Sequence, residues 1–524
     1  MIRFIFCLSL AILLAEGDQT KPNILLLFPD QWRFDWGGSY FAIPVRTPNF
    51  EQIAKQGTLF RQAVVASPLC APSRSCLAAG REYDLAGVPS NFDNDYPINQ
   101  TTFYTLLRDR AGYHVMVCGK DDLTKKSGPG INGTYHAKEL GFSDYLRSSG
   151  KNDVISSKEP HEPYGVFLQS LKSNSTPGET LWDVHKSETK TDCQWRGYAC
   201  NQSSPLPDFA YEDNWISANG LKLLQRKPAG KPWFLQVNIA GPHPPFSITK
   251  DMLDSVLGRS YPLAIDHTTL TPAQQKVVRE DYAAEIENID SWIGKYLDFL
   301  EKSGEINNTL VCVSSDHGEM LGDHDDWGKT QPWGGSMRVP LVCMGNKIGV
   351  QSGVQIDTPV TTMDMAGTFL DYAGVDKAPG MTTESLRTML EGKSNHNRPY
   401  VWSGYGSWRA VIQWVDKNTI YKLICCNGTC PGQPKHTLLP ASKWAKSDSS
   451  HAGDCPAYHP AVKPDYCLPD DKRNEDLGKK KTTTLLLYNT VADPFDQHNL
   501  ADTMTSVVKE MVKLLPAGKC QYDA

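Results

Sequence analysis

Residues 23–28, Asn-Ile-Leu-Leu-Leu-Phe, form a short apolar run directly after Pro22, and the polar pair Asp30-Gln31 follows it at once. A run this short with no polar alternation is the pattern of a strand buried on both faces, inside a sheet covered by helices. In open α/β sheets the carboxyl ends of such strands are where sites are built, because a rigid strand stops and a loop begins. The pattern returns at 309–313 before Ser314-Ser315-Asp316-His317-Gly318. It returns more weakly at 114–117 before Gly119-Lys120, and at 233–239 before Gly241-Pro242-His243. Four strands can thus deliver polar residues to one edge. Between them, residues 279–300 carry Tyr282, Ile286, Ile289, Ile293, Tyr296, Leu297 and Leu300 on one helical face. Strands alternating with helices predict an α/β architecture, a large sheet sandwiched by helices. From about residue 398 the texture changes to strand-like pieces at 410–415 and 419–425, followed by cysteine-rich loops. The expected organisation is a catalytic domain over 18–397 and a smaller C-terminal α+β domain over 398–524. The 479–484 run reads as an exposed loop.

The chain has 524 residues, 40% of them hydrophobic and 21% charged, which leaves room for two globular domains. Its formal net charge of −6, with no Lys/Arg block longer than Lys479-Lys480-Lys481, excludes a nucleic-acid binder held by counterion release. An anionic substrate is compatible with that charge if the cations are confined to a pocket. Residues 1–17 have a basic start at Arg3, an apolar core over 4–15 and small residues at the end, the pattern of a removed secretory signal. The alternative, an N-terminal anchor, meets an apolar stretch shorter than the roughly 20 residues of a membrane span. No other segment is apolar enough to span.

Six glycosylation sequons, at Asn99, Asn132, Asn174, Asn201, Asn307 and Asn427, fit the same route, to an extracellular or lysosomal destination. Of fourteen cysteines, setting aside Cys7 and Cys70 leaves an even number, compatible with disulfides in an oxidising compartment. Bridges are expected for Cys193 with Cys200 and among Cys425, Cys426, Cys430, Cys455, Cys467 and Cys520. Cys118, Cys312 and Cys343 lie in apolar strand-like runs and read as buried free thiols.

The run Cys70-Ala71-Pro72-Ser73-Arg74-Ser75-Cys76-Leu77-Ala78-Ala79-Gly80-Arg81 resembles the signature in which type I sulfatases oxidise a cysteine to Cα-formylglycine (3-oxoalanine). A thiol or hydroxyl is a poor nucleophile toward a sulfate ester. A hydrated aldehyde offers two geminal hydroxyls, one to attack sulfur and one to collapse and expel sulfate. The resemblance to these members of the alkaline phosphatase superfamily extends through residues 22–31, Gly119-Lys120, Pro242-His243, Asp316-His317-Gly318, and Lys329 with Arg338-Val339-Pro340. It closes with Leu487-Tyr488-Asn489, Asp493-Pro494 and Asn499-Leu500.

That resemblance implies an alkaline-phosphatase-like fold in which Asp30, Gln31, Asp316 and His317 hold one calcium ion together with the modified Cys70. Taken singly, an Asp after a strand is more often a turn or helix cap. A cation beside the nucleophile would acidify one geminal hydroxyl and polarise the sulfate oxygens. Arg74 would pair with the hydrated aldehyde, Lys120 and Lys329 would bind sulfate oxygens, and His243 would help protonate the leaving oxygen. The formylglycine-generating enzyme is then an implied partner during biosynthesis, and a sulfated small molecule or glycan the implied substrate.

Three departures from the family pattern stand out. The pairs Asp30-Gln31 and Asp316-His317 resemble the choline-sulfatase-like and phosphonate-monoester-hydrolase-like branches, and a histidine nitrogen also suits Mn²⁺ or Zn²⁺. Asp122 stands where the family has a histidine that takes the proton from formylglycine. It is either this chain's base or a structural carboxylate that pairs with Lys120. Ala78-Ala79 replaces the usual pair before Gly80-Arg81, and conversion of Cys70 is still expected. His324, Trp327 and Trp333 either line the substrate pocket or pack in the core, and Arg33 with Asp35 reads as a local ion pair. Residues 125–204, with Trp182, Trp195 and Tyr198, hold the expected specificity loops. The leading reading is a sulfatase; phosphonate or phosphodiester hydrolysis, and a glycan-binding pseudoenzyme, are the alternatives.

Overall fold

The computed structural model describes residues 21–38, 43–174, 177–188, 203–265, 268, 270–428, 430–431 and 483–520. Its strands, in chain order, are β1 (Asn23–Leu27), β2 (Gly57–Phe60), β3 (Ala63–Val64), β4 (His114–Gly119), β5 (Asp144–Arg147), β6 (Trp233–Asn238) and β7 (Thr309–Val313). They continue with β8 (Leu341–Met344), β9 (Val354–Ile356), β10 (Val360–Thr361), β11 (Tyr400–Tyr405), β12 (Trp408–Asp416), β13 (Thr419–Asn427) and β14 (Thr483–Asn489). Eight of them form one mixed sheet in the order β5-β4-β6-β1-β7-β8-β2-β9. β1 runs parallel to both β6 and β7, and β4 runs parallel to β6, so four carboxyl ends meet at one edge. β8 is antiparallel to β7 and to β2.

All five residues of β1 are buried, because the sheet is covered on both faces. Leu25 and Leu27 point into a core formed with Phe50, Ile216, Tyr282, Ile286 and Ile293. Ile24 and Leu26 point into the opposite core with Leu77, Phe103, Leu106, Met365 and Phe369. The helix predicted over 279–300 is longer, Pro272–Lys302. Thr271 accepts the Gln274 N–H as N-cap while the Gln274 side chain returns to the Thr271 backbone, and Pro272 occupies the first turn, where its missing N–H costs nothing.

The C-terminal domain is an antiparallel sheet in the order β11-β12-β13-β14. One face packs Trp408, Ile412 and Ile424 onto Met320, Trp333 and Met337 of the catalytic domain. The other packs Leu423 and Leu487 under Val508 and Met511 of the Thr505–Val512 helix. Thr483 and Thr484 open β14, so that part of the expected 479–484 loop is strand, paired with Asn427 and Cys426. The remainder, residues 479–482, together with residues 1–20, Asn201, Cys193, Cys200, Cys455, Cys467, Trp195 and Tyr198, lies outside the described residues. Among the described residues no helix is long and apolar enough to cross a membrane.

Cys425–Cys520 and Cys426–Cys430 bridge the C-terminal group as expected, and Cys118 is a buried free thiol. The reading of Cys312 and Cys343 as free thiols is corrected: they form a disulfide between β7 and β8. The two residues are directly paired in the antiparallel register, with Cα atoms 4.2 Å apart. A close antiparallel pair brings the side chains together, and which strands become neighbours cannot be read from a separation of 31 residues. Replacing both cysteines by alanine is expected to lower unfolding stability by about 3 kcal/mol. Denaturant unfolding measures this, and an unchanged midpoint in non-reducing buffer would show that the bridge contributes nothing.

Candidate active site

At the end of β1 the chain turns at Gln31, whose φ of 69° is in the left-handed region unusual for a side-chain-bearing residue. The turn is held from both sides. Asp30 donates its N–H to the carbonyls of Ile239 and Gly241 (3.0 and 3.1 Å), and Gln31 donates its own to Asp316 Oδ1 (3.0 Å). The Trp32 N–H reaches Ser315 Oγ (2.9 Å), so the loops after β1 and β7 are one hydrogen-bonded unit.

Cys70 is the first residue of the Cys70–Ala79 helix, which ends on Gly80 in the left-handed conformation. One turn later on the same face, Arg74 is fully buried and spends its fork on four acceptors. Nε donates to Asp316 Oδ2 (2.9 Å) and Nη2 to Asp30 Oδ2 (3.1 Å). Nη1 donates to the Lys120 carbonyl (2.6 Å) and to Asn238 Oδ1 (2.9 Å). None of these bonds reaches the Cys70 sulfur. Arg74 thus binds the two carboxylates expected at the cation rather than the side chain at position 70.

Around Cys70 Sγ stand Lys329 Nζ at 2.8 Å, His317 Nε2 at 3.3 Å, Lys120 Nζ at 3.7 Å and Asp30 Oδ1 at 3.9 Å. Lys120 Nζ also donates to Asp30 Oδ2 (2.7 Å) and Lys329 Nζ to Gln31 Oε1 (3.0 Å). Ligand atoms of Asp30, Cys70, Asp316 and His317 all lie within 4.8 Å of one another, all buried. His317 Nδ1 faces the Gly318 carbonyl (3.0 Å), which makes that nitrogen the donor and leaves the Nε2 lone pair toward the cluster. Two carboxylates and one imidazole beside position 70 fit a divalent cation that prefers oxygen ligands.

Burial pushes the Asp30 carboxyl up, but Lys120 and Lys329 outweigh it and hold Asp30 well below the usual carboxylate range. At Asp316 burial prevails and holds the carboxyl above that range, against the pull of Arg74 and with help from Asp30. Burial and then Lys329 hold His317 well below the usual histidine range, a neutral ligand. Burial, followed by Lys329 and Lys120, does the same to His243. The Cys70 thiol is pushed up to about 11 by burial and then by Asp30, so the unmodified sulfur is protonated at neutral pH and is a poor nucleophile.

His243 sits on the Gly241-Pro242-His243 turn, with Nδ1 2.5 Å from the Pro244 carbonyl. Asp122, with φ 52°, lies 3.6 Å from Lys120 Nζ and 3.6 Å from Lys125 Nζ, and among the described residues its Oδ2 accepts no hydrogen bond. Arg33 and Asp35 form the expected ion pair (2.7 Å), which Asp323 completes. Trp182, Trp327 and Trp333 are core residues, and Trp333 stacks on His324 with ring centroids 4.8 Å apart.

Sequence reasoning missed three supporting groups. Asn238 accepts from Arg74, Asp213 Oδ1 accepts the Gly241 N–H (2.7 Å) behind the His243 turn, and Glu319 holds the Gln31 amide. Asn238 closes a strand at the site edge, and Glu319 follows the Asp316-His317-Gly318 motif, which was signal enough to single them out. Asp213 carries no such signal.

An alkaline-phosphatase-like α/β fold, with a cation-ligand cluster and lysines converging on one residue at its sheet edge, defines a hydrolase of anionic esters. The sulfatase family model matches residues 22–375, and the chain belongs to the sulfatase family. It is 26% identical over 408 residues to an arylsulfatase of Clostridium perfringens, covering 73% of this chain and 81% of that protein. It is 26% identical over 415 residues to an N-acetylglucosamine-6-O-sulfatase of Bacteroides thetaiotaomicron, covering 72% of each. In three dimensions it resembles a phosphonate monoester hydrolase of Agrobacterium radiobacter, with a TM-score of 0.65, 18% identity and 94% of both chains covered. The chain is a sulfatase, a hydrolase of sulfuric esters.

Because Asp316 is raised and a ligand carboxylate must be ionised, cation uptake is expected to release protons and to tighten as pH rises from 6 to 8. Calorimetric titration of calcium in buffers of different ionisation enthalpy reads this directly. A pH-independent affinity would contradict the shift.

Proposed function

We propose that this protein removes O-sulfate from a sulfated carbohydrate, using Cα-formylglycine formed from Cys70 and a calcium ion held by Asp30, Gln31, Asp316 and His317. The observation that carries the reading is the placement of Cys70 Sγ between Lys329 Nζ (2.8 Å) and His317 Nε2 (3.3 Å), with the thiol itself unreactive. The hydrated aldehyde supplies the nucleophilic hydroxyl, and the cation polarises the sulfate oxygens.

This chain's own groups supply the rest. Lys120 and Lys329 flank position 70 and offset the charge of sulfate oxygens brought there. Arg74 keeps Asp30 and Asp316 apart and aimed. Burial and then Lys329 and Lys120 hold His243 neutral; a bound sulfate offsets the two lysines, so substrate binding raises the proton affinity of His243 and lets it donate to the leaving oxygen. We assign to Asp122 the proton acceptance that the family histidine performs. A carbohydrate substrate is supported by the name of the N-acetylglucosamine-6-O-sulfatase relative.

The same reading includes a secretory route, with residues 1–17 as signal, conversion by the formylglycine-generating enzyme, and glycosylation on the way to the extracellular space or the lysosome. Three disulfides among the described residues and the exposure of Asn99, Asn132, Asn174 and Asn307 support it.

Mass spectrometry of the peptide spanning Cys70, from protein made in secretory cells, is expected to show the aldehyde, with turnover of an aryl sulfate exceeding that of an aryl phosphonate. A thiol at full occupancy favours the pseudoenzyme, and a faster phosphonate rate favours the alternative hydrolase. Asp122→Asn should release about one product equivalent per site and then turn over about 100-fold more slowly. Unchanged steady-state turnover would leave Asp122 a structural partner of Lys120.

A further inference from the structure

Glu319 is completely buried, two residues beyond His317. Its Oε1 accepts the backbone N–H groups of Leu321 (3.0 Å) and Gly328 (2.6 Å), and its Oε2 accepts Gln31 Nε2. The other end of that amide, Gln31 Oε1, accepts from Lys329 Nζ, which in turn reaches Cys70 Sγ. Glu319, Gln31, Lys329 and Cys70 therefore form one chain of donors and acceptors from the protein interior to the reacting position.

The two ends of a glutamine amide have nearly the same shape, so its partners decide which end faces the site. The Lys329 ammonium can only donate, which sets the amide oxygen toward Lys329 and leaves the nitrogen to donate to Glu319 Oε2. The Gln31 backbone is already fixed by its bond to Asp316, so the choice of which amide end faces the site falls to the side chain's partners. The same carboxylate anchors Gly328, the residue before Lys329.

We infer that Glu319 is a positioning residue: it turns the Gln31 oxygen, and aims the Lys329 ammonium, toward Cys70, so that oxygen rather than an N–H group meets the cation. This rests on the reading of Gln31 as a cation ligand given above.

Three variants of the full chain test it: Glu319→Gln, Gln31→Glu, and the two together. In Glu319→Gln the new amide nitrogen faces Gln31, which answers by turning its oxygen inward and its NH₂ toward Lys329. Gln31→Glu sets two carboxylates against each other. Each should weaken calcium binding about tenfold or more, read as the calcium dependence of the thermal unfolding midpoint after chelation. In the double variant the amide introduced at position 319 donates to the carboxylate introduced at position 31, an oxygen again faces the site, and affinity should return to within about threefold of wild type.

A mere packing role cannot produce that recovery. A double variant no better than Gln31→Glu overturns the inference, even if Glu319→Gln alone fails to fold, and so does Glu319→Gln with wild-type affinity. A wild-type chain that takes up no calcium overturns it as well. Rescue of calcium binding in a chain that hydrolyses no sulfate ester supports the inference and sinks only the catalytic reading.

Discussion

Asp30 and Asp316 lie fully buried at the ends of adjacent parallel strands, and like charges placed so closely oppose folding unless something answers them. The Arg74 fork joins one oxygen of each, and Lys120 closes on Asp30 from the other side. The outcome is asymmetric. Asp30, answered by two lysines as well, is held low, while burial leaves Asp316 high, so that a cation bound there would displace its proton to solvent.

The fold serves that balance by rigid placement. β1 lies between β6 and β7, so Asp30, His243 and Asp316 descend from three neighbouring strands, while Cys70 and Arg74 enter on one helix from the side. Lys329 comes from a longer loop, which the C-terminal sheet braces. Trp408 Nε1 donates to the Thr330 carbonyl (2.9 Å), Lys422 pairs with Asp496, and Asp496 accepts the Gly334 N–H (2.8 Å). Among the described residues the smaller domain therefore reaches the chemistry through backbone it holds in place.

Much of this was legible in the sequence because its signals are local. Four apolar runs that end on polar residues marked four strands and their shared edge, and the helix over 279–300 showed its face by periodicity. The Cys70 run, with the motifs at Asp30, Lys120, His243 and Asp316, named the residues that converge. What stayed hidden depends on pairing across distance. The neighbourhood of β7 and β8 turned two apparent free thiols, Cys312 and Cys343, into a bridge. Arg74 carries no mark of whether its fork meets carboxylates or the side chain at position 70. Trp327 and Trp333 could stack on a ligand or pack inside, and only the fold sends them inward.

The most direct test of the central claim is a crystal structure of the protein grown with calcium, phased so that the ion is identified by its anomalous signal. The account predicts one cation bound by Asp30, Gln31, Asp316 and His317, touching an oxidised side chain at position 70 that Lys120 and Lys329 flank. An intact thiol at position 70, or a cation bound away from Asp30 and Asp316, would contradict it.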